Sequence, residues 1–310
     1  MASKRAYQIA ATAAVVAIIL LIAMGSVVRT TGSGLGCPDW PLCHGSIVPP
    51  WERTAMIEWG HRTLAALVGV LIVGVAVWTV LRARLTRATP VAGVAVVLLV
   101  LQAYLGRETV RRELPPELVA THLVTALALT ALLVWIAVRA QASPHRGGMG
   151  GLTTDSVVLS AISIALVMLA GAYVVANGAG LACTTWPGCA ESAVPWAEGG
   201  TLQDIQWLHR GAVALAGFAI LLQFGMVRRD GLPPRIHHLS LLLAALYATQ
   251  VLVGASSVWS DLATVTRVLH LTLGSTTWAV AIWLVTAVWT TRDRAALSPS
   301  QRQQSAPASP

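Results

Sequence analysis

The sequence predicts an all-α integral membrane protein with eight transmembrane helices, arranged as two tandem four-helix bundles of the same orientation. Apolar residues make up 55% of the 310 residues and charged residues only 11%, which is typical of a chain that lies in lipid. Eight uncharged stretches are long enough to cross a hydrocarbon core about 30 Å thick. Their flanking motifs recur in the second half of the chain, which predicts the tandem arrangement.

The eight stretches are predicted to be helices because a segment in lipid must satisfy its own backbone hydrogen bonds. The first follows a lysine and an arginine, as in a signal peptide, but its 23 uncharged residues exceed a typical signal core. We therefore expect it to remain as helix one. The predicted spans are Ala6 to Val28, Leu64 to Leu81, Ala88 to Gly106, Leu118 to Val138, Val157 to Ala176, Gly211 to Val227, His237 to Val258 and Val268 to Thr291.

The predicted domain boundaries follow from these spans. Residues 1–139 are expected to form the first bundle and residues 155–292 the second. A glycine-rich cytoplasmic linker, 140–154, joins them, and the tail 293–310, rich in Ser, Pro, Gln and Ala, is predicted to be disordered. Each half has an even number of helices, so the halves are related by an axis along the membrane normal.

The distribution of charge predicts the orientation. Basic residues such as Arg5, Arg84 and Arg228 fall on the side that both termini share, whereas acids such as Asp39 and Glu113 fall opposite. The positive-inside rule therefore places both termini in the cytoplasm of a multi-pass plasma-membrane protein. The net charge of +8 reflects this topology and contact with anionic lipid, and without runs of like charge it does not indicate nucleic-acid binding.

Four histidines recur with the repeat. His209 and His270 follow His61 and His122 at a constant distance of 148 residues. A dozen matches at two nearly equal offsets indicate a duplication. The matching segments are Glu58-Trp59-Gly60-His61-Arg62 with Gln206-Trp207-Leu208-His209-Arg210, Thr121-His122-Leu123 with Leu269-His270-Leu271, Gln102 and Gly106 with Gln250 and Gly254, and the glycines and cysteines from Gly32 to Cys43 with those from Gly178 to Cys189.

The predicted depth of these histidines indicates a ligand. All four fall at or near the outer start of an even-numbered helix, at one level of the membrane. Two imidazoles on neighbouring helices of one half can face each other across a flat group, as axial ligation of heme iron requires. Zinc normally takes three or four ligands, and each half has two. A single interfacial histidine is usually a hydrogen-bonding residue, but four duplicated ones favour a functional site.

Charged residues near the histidines have two interpretations each. Three arginines are candidates to pair with heme propionates, namely Arg62, Arg210 and Arg267. Each could equally extend its side chain to a lipid phosphate. Glu58 precedes His61 by one helical turn, so both side chains can enter one pocket. A carboxylate at a helix N-terminus also complements the helix dipole. Its counterpart Gln206 is uncharged, so one half is equipped for proton or charge chemistry and the other is not.

The four cysteines form two C-x5-C pairs in loops predicted to be external. In an oxidising environment, one disulfide within each loop is the simplest assignment. The spacing does not suit the usual zinc knuckle, and structural and redox-active disulfides both remain open. The pairs are Cys37 with Cys43 and Cys183 with Cys189.

Taken together, these motifs resemble bacterial heme A synthase over the whole chain except the linker and tail. The resemblance rests on Thr31-Gly32-Ser33-Gly34-Leu35-Gly36-Cys37-Pro38-Asp39-Trp40-Pro41, Cys43, Glu58-Trp59-Gly60-His61-Arg62, His122, His209 and His270. It implies two four-helix bundles that oxidise the C8 methyl group of heme O to the formyl group of heme A, for terminal oxidases. It also implies heme O synthase, a farnesyltransferase, and terminal-oxidase assembly factors as candidate partners.

Carried over residue by residue, the resemblance implies that His209 and His270 ligate a resident heme b. His61 and His122 would hold heme O, with Glu58 as the catalytic carboxylate and the cysteine pairs as loop disulfides. Whether Glu58 accepts a proton or stabilises a cationic intermediate stays open. Two alternatives remain: a bis-histidine cytochrome b that passes electrons to or from quinone, and a membrane thiol oxidoreductase.

Overall fold

The computed structural model describes residues 2–81, 88–141, 151–189 and 200–295. Within these ranges it is all-helical, and eight helices are long and apolar enough to cross a membrane, as predicted. A short 3-10 helix, Ala179–Leu181, follows α5. The eight helices are α1 (Ala2–Thr30), α2 (Arg53–Leu81), α3 (Ala88–Arg111), α4 (Pro116–Gln141), α5 (Gly151–Ala176), α6 (Thr201–Arg229), α7 (Pro234–Trp259) and α8 (Thr264–Ala295).

Several helices extend well beyond the predicted spans. The second begins at Arg53 rather than Leu64, and the sixth at Thr201 rather than Gly211. A hydropathy limit stops at the first charged side chain, whereas the i to i−4 backbone hydrogen bonds of a helix do not depend on side-chain polarity. His61 therefore lies inside α2, about two turns from its start.

The predicted linker and tail lie mostly outside the described residues. The two ends of the linker that are described are helical, because α4 continues to Gln141 and α5 begins at Gly151. Helix α8 likewise continues to Ala295, past the predicted start of the tail. Arg84, one of the basic residues used to predict the orientation, also falls outside the described ranges, as do Arg82, Arg87, Arg146 and Arg302 of the same predicted side.

Each half forms a closed ring of four helices. In the first half α1 packs on α2, α2 on α3, α3 on α4, and α4 back on α1; helices α5 to α8 repeat this order. Each ring has its own apolar core. In both, helices that are consecutive in sequence are neighbours, so alternate helices stand at opposite corners.

The two rings meet through α1, α4, α5 and α8. Helix α8 packs on α1 as α4 packs on α5, and α4 and α8 pack on each other. This is the pattern expected from a pseudo-two-fold axis between α4 and α8, and it is consistent with tandem bundles of one orientation. Trp278 of α8 crosses the junction and donates its indole N–H to the Leu127 carbonyl of α4, at 2.9 Å.

Candidate functional site

The four repeated histidines occupy equivalent places in the two rings. His61 and His209 are each the ninth residue of α2 and α6, and His122 and His270 are each the seventh of α4 and α8. The two histidines of a half therefore stand on helices at opposite corners, which corrects the prediction of neighbouring helices. Within each pair the imidazoles are close enough to interact electrostatically. The diagonal arrangement places them across the centre of the ring.

Each histidine ring lies against a glycine of the preceding helix. A methyl group built on Gly25 would lie 3.3 Å from Cε1 of His61, and one on Gly171 would lie 3.2 Å from Cε1 of His209. Such distances are at or below normal van der Waals contact, so a side chain at these glycines would displace the imidazole. Gly106 and Gly254 bring Cβ positions to 3.5 Å and 2.9 Å from Cε1 of His122 and His270.

These histidine pairs fit the axial ligands of a heme iron. In all four rings Nδ1 is buried without a hydrogen-bond partner, although the Val167 carbonyl lies near His209. Nε2 is then the nitrogen that each ring could offer to an iron ion, and that of His270 lies 3.5 Å from Nε2 of Gln250. Two imidazoles on diagonal helices, close enough to interact electrostatically, are the donor set that bis-histidine ligation of a heme iron would use.

A repeated glutamine fixes the backbone beside one histidine of each half. Gln102 of α3 donates to the His122 carbonyl at 3.0 Å, and Gln250 of α7 donates to the His270 carbonyl at 2.8 Å. Gln102 also donates to the Thr125 hydroxyl. Thr125 corresponds to Leu273 in the second half. The same two helices thus supply a glycine that seats the imidazole and a glutamine that holds its backbone.

Replacing Gly254 by alanine should test the importance of this seat. The new methyl group would lie 2.9 Å from Cε1 of His270, so we expect the imidazole to shift and heme affinity to fall by roughly 10–100-fold, as for other groups that orient metal ligands. Heme b content of the purified protein measures this. Gly74→Ala is the matched control, because nothing lies within 4 Å of its Cβ position; equal heme b in the two variants would contradict the role of the seat.

Glu58 differs from its counterpart in its hydrogen bonds as well as its charge. It is 5% exposed, and its Oε1 accepts from Nε of Arg62 at 2.8 Å. Gln206, 6% exposed, instead donates to the Gly180 carbonyl at 3.1 Å. Among the described residues, the first half therefore has a buried carboxylate one helical turn before a candidate iron ligand, where the second half has a buried amide.

The arginines next to the histidines hold the cysteine loops. Nη1 of Arg62 donates to the Asp39 and Leu42 carbonyls at 2.7 Å and 3.0 Å, and Nη2 donates to Cys37 at 2.8 Å. Arg210 makes the same type of contact with the carbonyls of Cys183, Thr185, Pro187 and Gly188. A heme propionate would therefore have to compete with these loop carbonyls for the two guanidinium groups. The spacing of residues in the sequence did not predict the carbonyls as partners.

Both loops contain the predicted disulfide. The S–S distances are 1.91 Å for Cys37–Cys43 and 2.03 Å for Cys183–Cys189. Among the residues that the structure describes, no group of three or more His, Cys, Asp or Glu side chains is arranged to hold a metal ion. Each disulfide links the two cysteines of its own loop.

The first loop is closed further by Asp39. Its carboxylate accepts from the backbone N–H of His44 at 2.6 Å and of Gly45 at 2.8 Å. These bonds, that from Gly45 most of all, lower the pKa of Asp39 below its ordinary value. This stabilising contribution is present above the pKa of the unfolded chain and is lost as the pH falls through the lowered pKa of the folded one.

A second buried carboxylate was missed by sequence reasoning. Glu108, at the end of α3, is 6% exposed and pairs with Arg107 at 2.8 Å, Arg111 at 3.6 Å and Arg112 at 3.2 Å. The spacing of one, three and four residues was the available signal. Its counterpart in the second half is Ser256, so this positive cluster belongs to the first half alone.

The sequence is similar to those of known proteins over most of its length. Residues 8–283 match the COX15-CtaA family, described as cytochrome oxidase assembly protein. The heme A synthase of Symbiobacterium thermophilum is 34% identical over 296 residues, covering 92% of this chain and 95% of that protein. Those of Bacillus pumilus and Geobacillus thermodenitrificans are 30% and 28% identical, over 80% and 94% of this chain and 83% and 95% of their own lengths.

Proposed function

The chain belongs to the COX15-CtaA family of cytochrome oxidase assembly proteins, and we propose that it is a heme A synthase. It oxidises the C8 methyl group of heme O to a formyl group in successive steps. The observation that carries this proposal is the buried Glu58 beside one of two equivalent histidine pairs. A protein that only carried electrons would need the pairs but not a carboxylate in one half.

The two rings take different hemes in this proposal. The first ring, within 1–139, holds the substrate heme O between His61 and His122. The second, within 155–292, holds a resident heme b between His209 and His270. The supports are the seated imidazoles of both halves and the replacement of Glu58 by Gln206 in the second. A resident cofactor needs a holder, whereas a substrate also needs a reactive group.

The protein groups position heme O and stabilise the charge that develops on it. When bound, heme b would supply one-electron redox chemistry, which the side chains lack. The imidazoles orient the substrate ring relative to Glu58. Because the Glu58 carboxylate is buried, it would accept a proton or stabilise positive charge more strongly than it would in solvent.

Arg267 is the arginine best placed for a heme propionate. It lies one turn before His270 on α8, and its positive charge repels that of Arg29 at the end of α1. The hydroxyl of Thr264 donates to the Thr30 carbonyl at 3.4 Å, so the two helix ends touch. An anionic propionate near Arg267 would offset the repulsion between the two guanidinium groups.

The orientation and partners follow from the same proposal. Both termini lie in the cytoplasm, and the cysteine loops and the histidine end of each ring face outward, as the positive-inside rule indicates. Heme O is poorly soluble in water, so the enzyme receives it within the membrane from the farnesyltransferase that makes it. Assembly factors of terminal oxidases are the corresponding acceptors of heme A.

Pigment extraction from the purified protein tests the proposal. We expect heme b together with heme O or heme A. Heme b alone would support a cytochrome b that exchanges electrons with quinone, and absence of heme would support a thiol oxidoreductase. Cells supplied with heme O but lacking this protein provide the control, since heme A should then be absent.

A further inference from the structure

Arg62 joins the Glu58 carboxylate to the first cysteine loop. Its Nε donates to Glu58, while Nη1 and Nη2 donate to three loop carbonyls at 2.7 to 3.0 Å. The side chains of Glu58 and Arg62 are 6% and 15% exposed. One planar guanidinium thus makes four hydrogen bonds, of which only one goes to the carboxylate.

The loop carbonyls decide where this guanidinium lies. They belong to Cys37, Asp39 and Leu42, in and beside the segment that the Cys37–Cys43 disulfide closes. Other hydrogen bonds hold the same loop. Two backbone N–H groups donate to the Asp39 carboxylate, and the Trp59 indole donates to the Ile47 carbonyl at 2.8 Å. The disulfide and these hydrogen bonds therefore fix the loop carbonyls that accept from Arg62. The position of the loop in turn sets the position of Arg62 and, through it, that of the Glu58 carboxylate.

We propose that Arg62 is a positioning residue for the oxidation of heme O, holding the Glu58 carboxylate in a fixed direction beside His61 by anchoring it to the Cys37–Cys43 loop. The inference rests on the proposed function of Glu58. A carboxylate has rotational freedom that burial alone does not remove. A misplacement of about 1 Å in an active site costs on the order of 10²-fold in rate.

The second half separates this role from loop attachment. Arg210 binds the carbonyls of the second cysteine loop in the same manner. Its neighbour one turn back, Gln206, points its amide to Gly180 instead. Attachment of the loop is thus common to both halves, whereas the residue one turn before the arginine is a carboxylate bonded to it in the first half and an amide bonded to a backbone carbonyl in the second.

Lysine at position 62 is the informative substitution. Its ammonium keeps the positive charge near Glu58, but it lacks the planar fork and the five donors of arginine. Arg62→Lys cannot bond Glu58 and the three loop carbonyls together. We expect conversion of bound heme O to heme A to fall roughly 10²-fold, while the heme b spectrum and the amount of bound heme O stay near those of the unaltered protein.

A double-mutant cycle with Glu58→Gln identifies the route of the effect. If Arg62 acts through the carboxylate, Arg62→Lys should have almost no effect once Glu58 is already glutamine. The residual conversion of heme O should then change by less than about 2-fold, which is the usual scatter between sites that do not interact. Arg210→Lys is the matched control, and any effect it has should be the same with Glu58 or Gln at position 58. Conversion is measured on full-length purified protein loaded with heme O.

Each other outcome overturns the inference. A full Arg62→Lys loss that persists in the Glu58→Gln background assigns Arg62 to structure, and an unchanged rate removes the role altogether. If Glu58→Gln alone has no effect, the proposed role of Glu58 is the part that fails. Should Arg62→Lys not retain heme b, the Cys37→Ala/Cys43→Ala protein replaces it in the cycle, since loosening the loop must cause the same Glu58-dependent loss.

Discussion

Replacing Glu58 by glutamine is expected to lower heme A production by about 10²–10⁴-fold, the usual contribution of a positioned acid–base group. Glutamine reproduces the residue found at position 206 of the second half, so the fold and both heme sites should persist. The measurement is the ratio of heme O to heme A in extracts of cells that depend on the variant. Heme b content of the purified protein verifies that the second ring is intact.

Glu108→Gln is the matched control for this prediction. Glu108 is 6% exposed, compared with 5% for Glu58, and is likewise bonded to arginine. Its ion pairs are with three arginines at the end of its own helix, at 2.8 to 3.6 Å. Its heme A production should stay within a few fold of normal. Near-normal heme A in Glu58→Gln would reduce Glu58 to a helix residue, and loss of both hemes would make its role structural.

Alanine at His209 or His270 is expected to remove the heme b spectrum, because a bis-histidine site loses one of its two iron bonds. Alanine at His61 or His122 should spare much of the heme b and abolish heme A formation. The two results should differ because, in the proposed function, each ring binds its own heme with its own pair of imidazoles. Optical spectra of the purified variants, with extracted hemes, distinguish the two outcomes.

His44→Ala provides the control for the four substitutions. His44 lies in the first cysteine loop, where its Nε2 contacts the Gly36 carbonyl at 3.0 Å, and its counterpart is Ala190. We expect normal heme b and heme A from this variant. Equal loss of heme b in all four ring variants would show that the rings do not bind separate hemes and would refute the division proposed here.

Composition and repetition were sufficient for the fold class and the main candidate residues. A membrane span is a local property, because about 20 consecutive apolar residues suffice to cross the hydrocarbon core. The repeat made His61 and His209 recognisable as equivalent, since two copies of a motif preserve its spacing. The cysteine pairing was also accessible, because five intervening residues bring both thiols into one loop.

Tertiary structure decided what these residues contact. The diagonal placement of His61 and His122 depends on how four helices close into a ring. Gly25 and Gly171 stand at matching positions of the repeat, but their contact with the imidazoles depends on how one helix is rotated against the next. Hydrophobic pattern specifies the buried face of a helix only coarsely, so it does not determine individual contacts.

The partners of Arg62 show most clearly what the sequence predicts and what depends on tertiary structure. From the sequence, a propionate and a lipid phosphate were its candidate partners, since an arginine next to a ligand suits either anion. In the folded chain its donors are taken by Glu58 and by loop carbonyls 20 to 25 residues away. A guanidinium bonds whichever acceptors the fold brings within reach. The sequence by itself therefore determined which residues carry charge and metal-binding groups, and packing between helices and loops decided which of them act together.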